Sequence, residues 1–221
     1  EMLRSLVGSE MCIRDRITTV YNGYSRHFYP QEDPSPITRK YIEESRYLFF
    51  LGNTDPKKNV PRTLKAYSLY REKSPKPLPL LIADIKEEIL GSILREQGIE
   101  HVRPHIVCPG YIPNTDLPYL YSGAFAFLYT SLRESFGIPL LEAMACGTPV
   151  VTSNTSSMPE VGGPGALLCD PTDAKDIAHK ILSLEKDPAL YRQQIQYGLR
   201  RAKRFSWETT ATELLSIYKS I

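Results

Sequence analysis

Residues 124–153 read AFAFLYTSLRESFGIPLLEAMACGTPVVTS, and this stretch indicates the fold more clearly than the rest of the chain. An apolar run at 124–129 predicts one buried strand, and a second run at 150–153 predicts another. Between them, Pro139 at a first helical position and Gly147 just past the end predict a helix over 139–145. Short strands that are apolar at every position and joined through a helix are typical of a parallel sheet with both faces covered.

The same alternation extends in both directions from this stretch. Further strands are predicted at 47–51, 78–83, 105–108 and 166–169. Further helices are predicted at 60–72, 85–97, 115–121, 173–184, 188–202 and 207–218, with Gly98 as a C-cap and Thr115 as an N-cap. The predicted fold class is therefore α/β: a doubly wound, Rossmann-like parallel sheet with extra C-terminal helices.

Two segments at the N-terminal end differ from this pattern. Residues 1–16 show neither helical nor strand periodicity and lack the basic start and apolar centre of a signal peptide. They resemble a translated adapter scar, so we expect a non-native arm, with a genuine disordered arm as the alternative. Residues 17–45, which carry turn and proline signals, are predicted to be an interdomain linker with one short strand at 18–21. The folded domain is predicted to cover 46–221.

Composition excludes several classes of protein. Hydrophobic residues make up 42% and charged residues 24%, as in an ordinary soluble globular protein. A net charge of +2 lacks the positive excess expected of a nucleic-acid-binding protein. No apolar run approaches the roughly 20 residues that span a bilayer. The 4 cysteines have neither metal-ligand nor disulfide spacing, which argues against a zinc site and predicts reduced thiols in the cytoplasm.

The loop after the first strand is one candidate site, because ligands of doubly wound sheets bind beyond the carboxyl ends of the strands. It reads GNTDPKKN at 52–59. Gly52 would let the backbone approach a ligand closely. Lys58, just before a helix, could neutralise a phosphate with the help of the helix N-terminus. A solvated turn is the alternative interpretation.

The loop after Thr130 is a second candidate site. Glu134 and Glu142 are eight positions apart, but a helix that begins near Pro139 leaves Glu134 in the loop and Glu142 in the first turn. The amides of 136–140 are predicted to be free donors of a helix N-terminus, suited to an anion or a hydroxyl. A carboxylate beside them can accept hydrogen bonds from sugar hydroxyls. Taken singly, each glutamate would be interpreted as an ordinary surface or first-turn charge.

Together these motifs resemble a known family. The string ESFGIPLLEAMACGTPVV at 134–151 is similar to the E-x7-E signature of GT-B glycosyltransferases of group 1, family 4, which retain anomeric configuration. The resemblance also takes in 52–59, 109–124, 157–161, 170–171 and 204–207. VYNG at 20–23 is similar to the segment that leads into the C-terminal, donor-binding lobe of these enzymes.

The resemblance implies a role for each candidate residue. The donor diphosphate would be bound by Gly52, Asn53, Lys58 and Leu140, and the ribose by Glu142. The donor sugar would be bound by Glu134, Phe136, Gly137 and Ile138, with Glu134 as the catalytic residue, and the base would lie near Gly110, Tyr111 and Ile112. Three positions depart from the family. Asn53 replaces a common arginine, so one charge for the diphosphate is absent unless Lys57 or Arg133 supplies it. Thr130 replaces a proline, and Phe125 replaces an acid.

The implied function is transfer of a hexosyl group, with retention, from a GDP- or UDP-hexose to a polysaccharide or lipid-linked glycan in bacterial polysaccharide biosynthesis. The sequence contains no D-x-D motif, so neither a metal nor another cofactor is expected. The family has a second, N-terminal lobe that recognises the acceptor. We expect this lobe to be missing here and the isolated chain to be inactive.

Two other functions remain open at this point. One is a nucleotide-sugar 2-epimerase of the same fold, and the other is a non-catalytic nucleotide-sugar-binding lobe that acts with a separate acceptor-binding chain. A basic cluster of Arg200, Arg201, Lys203 and Arg204 is interpreted as a solvated face. Peripheral contact with an anionic membrane is its alternative, which would place a cytoplasmic protein at the inner face of the membrane.

Overall fold

The computed structural model describes residues 17–220, in which six parallel strands form one sheet. The strands are β1 (Leu48–Leu51), β2 (Leu80–Ala83), β3 (Ile106–Gly110), β4 (Ala126–Tyr129), β5 (Val150–Ser153) and β6 (Leu167–Cys169). Their order across the sheet is β3-β2-β1-β4-β5-β6. This arrangement confirms the predicted doubly wound α/β sheet.

Helices cover both faces of the sheet. They are α1 (Ser35–Thr38), α2 (Val60–Lys73), α3 (Glu87–Glu96), α4 (Leu117–Gly123), α5 (Ile138–Ala145), α6 (Met158–Gly162), α7 (Ala174–Lys186), α8 (Pro188–Ala202) and α9 (Trp207–Lys219). The last three are the extra C-terminal helices that the sequence predicts. Across residues 17–220, every helix is too short or too polar to cross a membrane.

The apolar strands follow from burial on both faces. In β1, Leu48 and Phe50 pack into the core on one face of the sheet, and Phe49 packs into the core on the other. Because successive strand residues point to opposite faces, a strand that is covered on both sides is apolar throughout. The continuous apolar runs of the sequence are the signature of this arrangement.

The strand order reverses at the centre of the sheet. β1 pairs with β2 on one side and with β4 on the other, so the chain runs out to the β3 edge before it returns to β4. The connections that follow β1 and β4 therefore diverge to opposite faces of the sheet. The crevice that opens between them is the usual ligand position in this class of fold.

Some local predictions are wrong. The strand predicted at 18–21 does not form, and the nearest pairing is a single bridge between Tyr24 and Ser206. Thr115 is not the N-cap of α4, which Asp116 precedes directly. The carboxylate of Asp116 accepts a hydrogen bond from Tyr41 at 2.7 Å instead of capping the helix.

The sequence pattern predicts neither α1 nor α6, which contain 4 and 5 residues and are too short to show a helical period. The 3₁₀ segments Pro56–Lys58 and Glu100–His105 are likewise absent from the prediction.

Part of the predicted linker packs on α9. The hydroxyl of Thr210 donates to the carbonyl of Tyr21 at 2.6 Å, and Arg26 forms an ion pair with Glu208 at 2.6 Å. A Cβ added to Gly23 would overlap the backbone nitrogen of Trp207, so only glycine fits this contact. These contacts hold residues 21–26 against the start of α9. The prediction for residues 1–16 concerns a segment outside the described residues.

Candidate functional site

The loops that follow β1, β4 and β5 meet at the crevice. The amide of Leu132, in the loop after β4, donates to the carbonyl of Lys57, in the loop after β1, at 2.7 Å. Thr155, in the loop after β5, donates to the carbonyl of Leu132 at 3.3 Å. The three loops are therefore joined to one another directly, which positions their side chains.

The side chain of Asn59 stabilises this junction. It adopts a left-handed conformation with φ of 61° at the start of α2. Its side-chain amide donates to the carbonyl of Thr130 at 2.9 Å and to the carbonyl of Pro171 at 2.8 Å. The sequence pattern does not predict this role. Asparagine tolerates positive φ better than most residues, and Asn59 closes the 52–59 loop that resembles the family, but neither signal identifies its partners, which lie far away in the sequence.

Lys58 and Glu134 form an ion pair at the centre of the site. Lys58 Nζ lies 2.7 Å from Glu134 Oε1, and the side chains are only 18% and 13% exposed. The ammonium group also lies 5.6 Å from the centre of the Tyr129 ring. An ammonium group has three N–H donors, so Lys58 can hold Glu134 and still donate to a phosphate oxygen. The two residues assigned to diphosphate and sugar are thus brought together.

Two serines hold the Glu134 loop in place. Ser156, which has a positive φ of 58°, accepts from the amide of Glu134 at 3.1 Å and donates to its carbonyl at 2.7 Å. Ser157 donates to the carbonyl of Phe136 at 3.0 Å. The sequence pattern assigns neither serine a role in the site. Both act on backbone atoms, so their residue type carries little signal on its own.

The N-terminus of α5 offers fewer free amides than predicted. Pro139 has no N–H, and the amide of Leu140 already donates to the carbonyl of Gly137 at 3.1 Å. The amides of Gly137 and Ile138 have no acceptor within residues 17–220 and remain available to a ligand. Gly137 has a φ of 102°, and an added Cβ would lie 2.6 Å from Met158 Cε, so the position requires glycine.

Glu142 lies within α5, in a more buried position. Burial raises the pKa of its carboxyl group to about 7, and the hydroxyl of Tyr121 donates to Oε2 at 3.4 Å. Burial, with smaller effects from Glu134 and Glu142, raises the pKa of Tyr129, so both carboxylates lie near its ring. Glu134 and Glu142 are thus both close enough to Tyr129 to act on its hydroxyl, one from the loop and the other from α5.

The predicted base-binding residues lie further along the same edge of the sheet. Gly110 has a φ of 78° and ends β3, which β2 separates from β1. The side chain of Tyr111 is 75% exposed, whereas Ile112 is buried in the core. Of these side chains, only that of Tyr111 is free to meet a ligand in solution.

In the loop after β1, Asn53 and Lys57 both interact with Asp55. Gly52 is buried, and a Cβ added there would lie 2.9 Å from the Phe50 ring. Asn53 is exposed, and its Oδ1 accepts from the amide of Asp55 at 3.0 Å. Lys57 pairs with Asp55 at 3.2 Å on the surface. The charge that an arginine at position 53 would bring is therefore not supplied by Lys57 while that pair is formed.

The other two departures from the family affect packing. The hydroxyl of Thr130 lies 2.5 Å from that of Thr63, a buried contact that ties the end of β4 to α2. Phe125 stacks on Tyr191 with ring centres 4.7 Å apart, and the guanidinium of Arg46 lies 4.7 Å from its centre. Neither residue touches the ion pair.

Comparisons with known proteins agree with this geometry. The family model described as "Glycosyl transferases group 1" matches residues 37–201. The O-antigen chain mannosyltransferase B of Escherichia coli is 35% identical over 215 residues, which cover 93% of this chain and 55% of that protein. The chain thus spans about half the length of this relative.

Solved structures show the same fold. A sucrose-phosphate synthase from Thermosynechococcus elongatus superimposes with a TM-score of 0.74 at 25% identity, over 90% of this chain and 51% of that one. The C-terminal domain of a group 1 glycosyl transferase from Francisella tularensis gives a TM-score of 0.67 at 20% identity, over 82% of this chain and 96% of that one.

Proposed function

Since this chain belongs to the group 1 glycosyl transferases, we propose that it is the donor-binding part of a retaining hexosyltransferase. The donor is a GDP- or UDP-hexose, and the acceptor is a polysaccharide or a lipid-linked glycan. The name of the 35% identical relative supports a mannosyl group as the hexose and a bacterial surface polysaccharide as the product. The observation that carries the proposal is the Lys58–Glu134 ion pair in the crevice, beside the free amides of α5.

Each part of the donor has a matching group in this site. Lys58 binds the diphosphate, and the amides of Gly137 and Ile138 donate to the donor sugar, while the helix end that carries these amides favours the negative charge of the diphosphate. Glu134 accepts hydrogen bonds from the hexose hydroxyls, and Glu142 accepts them from the ribose. The base lies toward Tyr111, which presents an exposed ring for stacking.

The chemistry requires stabilisation of the leaving group. The anomeric C–O bond breaks with its electron pair remaining on the phosphate oxygen, while the acceptor oxygen bonds to the anomeric carbon on the same face and passes its proton to that departing phosphate oxygen. Negative charge therefore grows on the diphosphate and positive charge on the sugar ring. Lys58 and the helix amides stabilise the negative charge on the diphosphate, and Glu134 stabilises the positive charge on the sugar ring. These groups are already in place before the reaction, so no reorganisation is needed. In this proposal Lys58 and the helix amides neutralise the diphosphate without a metal ion or other cofactor.

Acceptor recognition is proposed to lie in a second lobe. The chain spans 55% of its mannosyltransferase relative and matches nearly all of an isolated C-terminal domain. Either a longer protein or a separate chain would supply that lobe. The chain described here would then bind the donor without transferring its sugar.

The basic cluster at the C-terminal end of α8 is smaller than the sequence suggests. Arg201 points inward: its Nε donates to the carbonyl of Val161 at 3.0 Å, and its guanidinium lies 4.9 Å from the centre of the Phe205 ring. Arg200, Lys203 and Arg204 are exposed. We propose that these three residues attract the protein to the anionic inner face of the membrane, where each would contribute about 1 kcal/mol.

Calorimetric titration of UDP- and GDP-hexoses tests donor binding. Replacing Lys58 by alanine should weaken affinity about tenfold to a hundredfold, because a hydrogen bond to a charged group contributes about 1.5–3 kcal/mol. Lys57→Ala is the matched control, since it removes a neighbouring lysine that is exposed and paired with Asp55. Equal affinity in the wild type and Lys58→Ala would show that the diphosphate binds elsewhere.

A further inference from the structure

Tyr21, in the segment predicted to be a linker, reaches the turn that enters α5. The centre of its ring lies 6.1 Å from that of Phe136 and 5.7 Å from that of Phe205, and the second pair is edge to face. Phe136 and Phe205 are themselves 5.9 Å apart, also edge to face. The three rings therefore form one aromatic cluster, which joins the linker, the Glu134 loop and the segment after α8.

This aromatic cluster packs on Phe136 from two elements. Phe205 is buried in the core, whereas Tyr21 is 38% exposed. Aromatic rings with centres 4.5–7 Å apart attract each other by more than the area that they bury. The linker therefore supplies part of the packing that holds the ring of Phe136.

Tyr21 is itself held at two points. Its hydroxyl donates to Oε1 of Glu160 in α6, and its carbonyl accepts from Thr210 in α9. Ser157, directly before α6, donates to the carbonyl of Phe136 at 3.0 Å. The side chain of Tyr21 thus contacts the turn through the Phe136 ring and also binds the helix that holds the backbone of the same residue.

Phe136 directly precedes the two amides that are assigned to the donor sugar. Its carbonyl and the N–H of Gly137 belong to one planar peptide unit, so the orientation of one determines that of the other. The N–H groups of Gly137 and Ile138 have no acceptor within residues 17–220. Among the described residues, the hydrogen bonds and ring contacts of Tyr21 involve none of the groups assigned to the diphosphate or the ribose.

We propose that Tyr21 is a positioning residue for the donor sugar. Its ring holds Phe136, and thereby the amide of Gly137, in the orientation that meets the sugar. This role rests on the function proposed above. It requires that a change at Tyr21 affects binding of the sugar half of the donor and leaves binding of the nucleotide half unchanged.

Calorimetry on the 221-residue chain with paired ligands tests this role: GDP-mannose against GDP, and UDP-glucose against UDP. For the pair that the wild type binds more tightly, Tyr21→Ala should weaken the nucleotide sugar by about three- to tenfold, because aromatic contacts are lost. The matching nucleoside diphosphate should change by less than about twofold, which also shows that the variant is folded. Tyr21→Phe keeps both ring contacts, so it should bind the nucleotide sugar within about twofold of the wild type.

Arg26→Ala is the matched control, since it removes another contact between the linker and α9, the ion pair with Glu208. It should change neither affinity. Three results would overturn the role of Tyr21: unchanged binding of the nucleotide sugar by Tyr21→Ala, an equal loss for both ligands of the pair, or the same loss in Arg26→Ala or Tyr21→Phe. A wild type that binds neither ligand of either pair would instead overturn the proposed function, and this role with it.

Discussion

Lys58 and Glu134 each neutralise the other when no ligand is bound. Because both side chains are mostly buried, removing one leaves the other as an unpaired charge in a partly desolvated place. Alanine variants at either position therefore change both stability and binding. Glutamine variants keep the size of glutamate and one of its acceptor oxygens but remove the charge, so they are better suited to the acidic residues of this site.

We expect Glu134→Gln to lower kcat more selectively than Glu142→Gln in the complete enzyme. Glu134 is assigned to the sugar, whose charge changes as the bond breaks, so its loss should reduce kcat by about 10²-fold. Glu142 is assigned to the ribose, which is the same in ground and transition states, so its loss should mainly raise the donor KM. Steady-state kinetics with saturating acceptor measure both constants. The opposite pattern would reverse the two roles.

Donor affinity should depend on the ionisation of Glu142. Burial raises the pKa of this carboxyl group to about 7, and only the carboxylate can accept two hydrogen bonds from ribose hydroxyls. Affinity should therefore rise as pH increases from 6 to 8, and well below the pKa it should fall by up to about tenfold per pH unit. Calorimetry across this range measures the effect. Glu142→Gln should flatten the dependence, and a wild-type protein without any pH dependence would contradict the assignment.

The same group affects stability with the opposite sign. A carboxyl group with a raised pKa in the folded state binds a proton more tightly there than in the unfolded chain. Without ligand, its contribution to the free energy of unfolding is greatest below the unfolded pKa and is lost as pH rises through about 7. The pH that favours donor binding thus destabilises the empty protein.

Among the connections between elements, the turn into α5 is the most constrained at the site. Gly137→Ala should destabilise the protein and weaken donor binding, because it combines a positive φ with a Cβ that would lie 2.6 Å from Met158 Cε. Gly98→Ala is the control: its φ is also positive, at 64°, but nothing lies within 4 Å of the added Cβ. It should lower the free energy of unfolding by about 1 kcal/mol without changing donor affinity. Equal effects of the two variants on donor affinity would contradict the role of Gly137.

The six strands and the longer helices could be predicted from sequence because each carries a local signal. Continuous apolar runs indicate the strands, and Pro139 and Gly98 indicate helix ends. The contacts between loops carry no such signal. Asn59 and Ser156 act on backbone atoms distant in the sequence, and the Lys58–Glu134 pair depends on β1 and β4 being neighbours. From the sequence, Lys58 and Glu134 are assigned to the same ligand only through the resemblance to a family.

At the scale of the whole molecule, the packed structure begins within the predicted linker. We expect a chain that starts at Ile17 to have the same melting temperature as the full chain, because residues 1–16 show no pattern that would bury apolar surface. Thermal unfolding followed by circular dichroism measures this. A decrease of several degrees would show that these residues stabilise the domain.

The contact of residues 21–26 with the start of α9 brings together the two ends of the segment that contains the whole sheet. Gly23 packs against Trp207, and a parallel bridge joins Tyr24 to Ser206, so the polypeptide enters and leaves the sheet-bearing unit side by side. A unit with adjacent entry and exit is easily transplanted, because it can be spliced into a host chain without stretching either connection. It is also a natural candidate for circular permutation, in which the old ends are fused and new ends are opened in an exposed loop.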